Sequence, residues 1–124
     1  MIYDHENIFA KILRGEIPCT KVFESDHSLA FEDINPVAPV HVLIIPKQAC
    51  VSMVDFLAIA SDIEITDFNR AIGEVAKLKG LIETGYRTLA NHGIDGRQDV
   101  FHYHVHLLGG RDLGGLIKLS LIHI

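Results

Sequence analysis

Three histidines, His102, His104 and His106, alternate with Tyr103, Val105 and Leu107 in the stretch Phe101 to Gly110. An imidazole is neutral near pH 7 and has two distinct nitrogens. One can carry a proton while the other ligates a metal, takes up a proton or attacks an electrophile. Side chains two residues apart on a strand share a face, so this spacing predicts three imidazoles in a row. Tyr103, Val105 and Leu107 would then line the reverse face. On a helix successive members of the set would be ~200° apart and would not align. The aromatic and β-branched residues favour a strand, and Gly109-Gly110 supplies its end.

Two chemistries fit such a row. Two imidazoles at this spacing can share a metal ion. The end members lie ~6.6 Å apart along a strand, a long reach for one ion, so His41 or a carboxylate would have to complete the set. Alternatively, one imidazole attacks phosphorus. That role needs one ring nitrogen free and the other held by a hydrogen bond. Neighbouring rings would neutralise phosphate oxygens and protonate a leaving group. The row alone leaves both open.

The rest of the chain must position this face. Ile8, Phe9, Ile12 and Leu13 predict a helix over Asn7 to Arg14, ended by Gly15. Thr20 to Glu24 and Ser28 to Ile34 predict a hairpin about the turn Ser25-Asp26-His27. Asn35-Pro36-Val37-Ala38-Pro39 cannot continue a ladder, since proline has no N–H, and it is stiff enough to hold Asp33 and His41 in place. His41 to Ile45 predicts a strand closed by Pro46, and Val51 to Ala58 a short helix. From Ser61-Asp62 to Lys79, Ile65, Phe68, Ile72, Val75 and Ala76 form one apolar face of a long helix, which Gly80 ends. Tyr86 to Asn91 predicts another strand. A Gly-rich loop, Asn91 to Gln98, leads into the histidine strand. Five strands with flanking helices predict an α+β domain around an antiparallel sheet, a single unit over 1–124. The apolar segment Leu113 to Ile124 is expected either to pack on a partner or to fray.

Composition narrows the classes. A length of 124 residues suits one domain, and 48% hydrophobic against 22% charged residues predicts a folded chain. The net charge of −5 and unclustered Lys and Arg argue against a nucleic-acid partner. No run approaches the ~20 apolar residues of a membrane span, so no membrane partner is expected. Nothing at the N-terminus resembles a signal peptide. Cys19 and Cys50 form no metal-like pair, which predicts free thiols in a cytoplasmic protein.

The segment His102-Tyr103-His104-Val105-His106-Leu107-Leu108 resembles the His-φ-His-φ-His-φ-φ signature of the histidine triad (HIT) superfamily. Asn7 through Pro18, Phe31 through His41 with Ile45-Pro46-Lys47, Gly85-Tyr86-Arg87, and Leu108 through Arg111 resemble the Hint branch in particular. The resemblance spans roughly residues 3 to 112. It implies a homodimer whose two five-stranded sheets join. It also implies hydrolysis of P–N bonds in purine nucleoside phosphoramidates, without a metal or other cofactor, on AMP-like substrates. His104 matches the nucleophile that forms a nucleotidyl-histidine intermediate, with its other N–H given to the backbone carbonyl of His102. His106 matches a residue that binds phosphate and assists the leaving group, and His102 and His41 match supporting residues. Asp33 and Ile34 match ribose contacts, which suits a carboxylate that accepts from two vicinal hydroxyls. Ile8, Phe9, Phe31 and Leu43 match the base pocket. Asn91, Asp99 and Val100 match positions near the phosphate and leaving group.

Departures from the pattern bear on that reading. Hint members often carry Gly-Gln-Ser where this chain has Arg97-Gln98-Asp99. A serine hydroxyl there donates to phosphate, whereas an ionised Asp99 would repel it, swing away, pair with Arg97 or take a proton from a leaving amine. Some relatives carry a zinc-binding Cys pair where this chain has Asn7 and Ala10, so that zinc is not expected. Two other readings stay open. One is dinucleoside polyphosphate hydrolysis or nucleotidyl transfer. The other is a nucleotide-binding interaction module with weak, incidental catalysis.

Overall fold

Alternation along the central strands sorts the side chains onto two faces of one sheet. The computed structural model describes residues 1–115. Its elements run α1 (Ile8–Leu13), β1 (Lys21–Glu24), β2 (Ser28–Glu32), β3 (Val40–Pro46), α2 (Met53–Ile59), α3 (Asp62–Leu78), β4 (Tyr86–Leu89) and β5 (Val105–Gly109). The strands form a five-stranded antiparallel sheet in the order β1-β2-β3-β5-β4. The predicted α+β architecture is the one observed. The expected tail lies outside the described residues from position 116 onward.

One face buries Ala30, Val42, Ile44, Val105 and Leu107 under α3. Opposed pairs such as Ala30↔Ile44 and Ile44↔Val105 put these side chains in rows across the strands. Helix α3 starts with a capping box in which the Ser61 hydroxyl accepts from the Glu64 N–H and the Glu64 carboxylate accepts from the Ser61 N–H. It turns Phe68, Ala71, Val75 and Ala76 toward the sheet. Phe56, Phe68 and Tyr103 interlock there with ring centroids 5.2–5.5 Å apart.

The opposite face carries Leu29, Phe31, Leu43 and Ile45, covered by Phe9 of α1. Across it, Phe31 opposes Leu43, and Leu43 opposes His106. The Asn7 side chain caps α1 by accepting from the Ala10 N–H, which sets the helix over this face.

The histidine strand is shorter than its pattern. Only His106 lies within β5, because the ladder stops at the pair Ile44↔Val105. The reason is the proline that ends β3. Two positions further along, Pro46 has no N–H to offer, and the Tyr103 N–H turns instead to the Cys50 carbonyl. Residues 102–104 nevertheless keep extended alternation, with Tyr103 in the α3-side core and His102 and His104 beside Phe9.

The loop before this segment is tied at one residue. Gln98 is buried, and its side-chain amide donates to the Val51 and Val100 carbonyls while its carbonyl accepts from the Gly93 N–H. Beside it, Arg97 has φ 58°, a left-handed conformation that costs an L-residue ~1–2 kcal/mol. This is the position at which Hint members often carry glycine. Relief of that strain outweighs the extra chain entropy of glycine, so Arg97→Gly should raise stability by up to about 1 kcal/mol. Urea denaturation checks this; a stability loss contradicts it.

Candidate active site

Four imidazoles meet on the α1-side face, and the hydrogen bonds around them define the proton on every ring. His102 is fully buried. Its Nε2 lies 2.8 Å from the Pro46 carbonyl, which can only accept, so Nε2 carries the hydrogen. Its Nδ1 then accepts from the Tyr3 hydroxyl at 2.6 Å. The His102 backbone carbonyl in turn accepts from His104 Nδ1 at 2.7 Å. That bond places the His104 hydrogen on Nδ1 and leaves a lone pair on Nε2.

The second pair is ordered in the same way. His41 Nδ1 accepts from the Val37 N–H at 3.1 Å, so its hydrogen sits on Nε2. That N–H faces His106 Nδ1 at 2.9 Å and Asp33 Oδ2 at 3.3 Å. His106 Nδ1 is therefore the acceptor, and its hydrogen lies on Nε2. That Nε2 is the one buried side-chain polar atom without a hydrogen-bond partner among the described residues. A buried N–H with no protein partner keeps its donor capacity for a ligand or for water. The His104 and His106 rings lie 5.1 Å apart, centroid to centroid, so a free lone pair and a free donor adjoin each other.

Electrostatics agree with neutral rings. Burial pushes His102 down to about 4, with proximity to His104 adding to the effect and the Pro46 carbonyl opposing it. Burial also pushes His106 down to about 4, with His104 and His41 adding to it, against the pull of Asp33 and Asp99. His41 is lowered by burial, against the opposing effect of Asp33.

Asp33 leaves β2 and returns toward His41. Its N–H donates to the His41 carbonyl, and its Oδ1 accepts from the Asn35 N–H at 2.8 Å. Phe9, Phe31 and Leu43 are buried together beside His104, while Ile8 and Ile34 are exposed at the rim. Phe31 and Leu43 thus serve first as core. Val100 packs on the same cluster. Asn91 is half-buried at the end of the loop. Asp99 points to solvent, its Oδ1 accepting from the Val100 N–H and lying 3.9 Å from His104 Nε2. Among the described residues it forms no ion pair with Arg97.

Asp33, His41 and His106 are also the described residues best placed to share a metal ion, with donor atoms within 4.8 Å of one another. In the present arrangement the facing nitrogens of His41 and His106 are engaged with each other, so a metal would have to break that bond. A separate groove of about 380 Å³ between β1 and α3 is lined by Phe23, Ser25, Asp67 and Arg70. It lies across the sheet from the imidazoles, and its Asp67 carboxylate already accepts from the Ser25 and Ser28 hydroxyls. The chemistry therefore sits with the histidines and not in that groove.

Sequence reasoning missed three contributors: Tyr3, the Pro46 carbonyl and the Val37 N–H. The latter two are backbone groups whose type carries no signal. Tyr3 lies 99 residues from His102 along the chain, and nothing in its neighbourhood marks it.

The HIT domain family matches residues 14–113, so this chain belongs to the HIT family. It is 56% identical over 115 residues to an uncharacterized 13.2 kDa HIT-like protein of Azospirillum brasilense, covering 93% of this chain and 94% of the relative. It is 40% identical over 119 residues to the purine nucleoside phosphoramidase of Escherichia coli, covering 90% and 93%. Among solved structures, a histidine triad protein from Clostridium difficile is similar with a TM-score of 0.80 and 43% identity, covering 92% and 98%.

The depressed histidines make stability depend on pH. Above about pH 6.5 the folded and unfolded chains both hold His102 and His106 neutral. Between about 6.5 and about 4 the unfolded chain binds protons that the folded chain refuses. Stability should therefore fall as pH drops through that window, with a slope approaching two protons. Chemical denaturation at a series of pH values reads this; a flat profile from pH 7 to 5 contradicts it.

Proposed function

We propose that this protein is a hydrolase of purine nucleoside phosphoramidates that works through a covalent nucleotidyl group on His104. The observation that carries the reading is the paired state of two adjacent rings: His104 Nε2 with a free lone pair and His106 Nε2–H with no partner. A nucleophile and a donor for the leaving group are what breaking a P–N bond requires. The phosphoramidase name of the Escherichia coli relative supports the same reading.

In this scheme His104 Nε2 attacks the α-phosphorus and the P–N bond breaks. The leaving nitrogen takes the proton from His106 Nε2 and departs as the amine. His41 Nε2–H, 2.9 Å from His106 Nδ1, supports the ring that has lost a proton. The covalent bond leaves a positive charge on His104, which offsets that loss nearby. Water then attacks phosphorus, gives its proton to His106 Nε2, and releases the nucleoside monophosphate. His104 keeps its Nδ1–H on the His102 carbonyl throughout. The Asp33 carboxylate accepts from the ribose hydroxyls, with Ile34 beside it. Ile8 and Phe9 border the base, and Phe31 and Leu43 support them from the core. Asn91 and Val100 flank the phosphate. None of these steps needs a metal or other cofactor.

Asp99 separates this reading from dinucleoside polyphosphate hydrolysis. Its exposed carboxylate, 3.9 Å from His104 Nε2, opposes the α-phosphate of either substrate, and opposes a polyphosphate more because that brings further negative charge. An amine leaving group meets no such repulsion.

The same reading places residues 1–124 in one HIT domain that works as a homodimer in the cytoplasm. The outer edge of β4 is unpaired among the described residues, and a second sheet can continue from it. No helix among the described residues is long and apolar enough to cross a membrane.

Incubation with an adenosine phosphoramidate in the presence of EDTA should release AMP. His104→Ala should lower turnover by at least about a thousandfold. No AMP from the unaltered protein, or full turnover by the variant, contradicts the proposal.

A further inference from the structure

We infer that Tyr3 is a positioning residue of the active site, acting through His102 on the tautomer and orientation of His104; its role in turnover rests on the function proposed above. The Tyr3 hydroxyl donates to His102 Nδ1 at 2.6 Å, and the Tyr3 and His102 rings meet edge-on with centroids 5.6 Å apart. The other hydrogen bond of the His102 ring is its Nε2–H on the Pro46 carbonyl, and Phe9 packs edge-on against that ring. A ring fixed at one nitrogen can still pivot about that bond. Fixed at both, it cannot.

The consequence lies in the backbone. His102 precedes β5 and has no ladder partner, because β3 ends at Pro46. Its carbonyl is the group that accepts from His104 Nδ1 at 2.7 Å. The peptide that carries this carbonyl is held from one side by the Tyr103 N–H on the Cys50 carbonyl, and from the other by the His102 side chain, which Tyr3 helps to fix. Once that carbonyl drifts, the His104 hydrogen is free to move to Nε2. The lone pair then sits on Nδ1, turned away from the place where phosphorus would be attacked.

Tyr3 is suited to be a lasting donor. Burial raises its hydroxyl above the ordinary tyrosine value, against an opposing hydrogen bond to the Asn7 side chain, so it stays protonated at physiological pH. It is also anchored to the substrate side of the site. Asn7, which caps α1, donates from its side-chain amide to the Asp4 carbonyl, and its own N–H donates to the same carbonyl. Phe9 of α1 then packs edge-on against His104 at 5.0 Å. The N-terminal segment therefore reaches the reacting ring by two routes: Phe9 touches it, and Tyr3 orients it through His102.

Tyr3→Phe removes one oxygen and keeps the ring that packs on His5 and His102. With ¹⁵N-labelled histidine, the nitrogen spectrum of the unaltered protein should show His104 in a single Nδ1–H tautomer. In Tyr3→Phe, His104 should become a mixture of the two tautomers. On an adenosine phosphoramidate, kcat should fall about tenfold with KM within about twofold, the size expected for loss of one hydrogen bond. An unchanged His104 spectrum in Tyr3→Phe overturns the inference, whatever happens to kcat. The spectrum needs no substrate, so it decides the role of Tyr3 even if phosphoramidates prove not to be hydrolysed. Should Tyr3→Phe fail to fold, the unaltered protein still decides. A protected Tyr3 hydroxyl proton coupled to His102 Nδ1 supports the inference, and its absence overturns it.

Discussion

The bond from His104 Nδ1–H to the His102 carbonyl is the constraint on which the rest of the site depends. A neutral imidazole has one hydrogen and one lone pair, and it can attack only through the nitrogen that lacks the hydrogen. This bond decides which nitrogen that is. It joins residues only two apart, so it needs the chain to run extended at 102–104, yet it also needs the carbonyl there to be spared from the sheet. Both conditions follow from Pro46. By ending the β3 ladder, it frees the His102 carbonyl for His104, and its own carbonyl holds His102 Nε2–H.

Burial supplies the second condition. His41 and His102 are buried, and burial makes both rings harder to protonate. A protonated His104 would have no lone pair. A protonated His41 could not accept from the Val37 N–H, and the ordered donation toward His106 would be lost. The apolar cluster of Phe9, Leu29, Phe31, Leu43 and Ile45 is therefore more than packing. It keeps water from the reverse side of the rings, so that their hydrogen bonds go to one another and to the backbone. Two carboxylates lie close to this set, Asp99 on the solvent side of His104 and Asp33 beside His41. The Asp33 Oδ1 is turned to the Asn35 N–H, while its Oδ2 lies 3.3 Å from His41 Nε2. That second oxygen shares the His41 hydrogen with His106, so a change at Asp33 bears directly on the His106 ring.

Much of this was legible in the sequence, and for identifiable reasons. Period-two spacing placed three imidazoles on one face, and they are there, although the ladder contains only His106. The alternation survived because extended backbone, and not pairing, sets which way a side chain points. The Pro36–Pro39 connection marked Asp33 and His41 as held flanks. What it could not show was the distance between them, because that depends on the register of β3 with β5. Gln98 was read only as part of a variant loop, yet it ties that loop to the α2 side through the Val51 carbonyl. Backbone acceptors and the N-terminal tyrosine gave no sequence signal, since each matters only through a partner far away in the chain.

The central claim is that His104 carries the nucleotidyl group during turnover. The most direct measurement is mass spectrometry of protein quenched within one turnover of an adenosine phosphoramidate, followed by mapping of the modified peptide. An adenylyl group on the peptide containing His104, absent when His104 is replaced, is the predicted result. AMP release with no modified peptide at any quench time, or modification at another residue, would contradict the account.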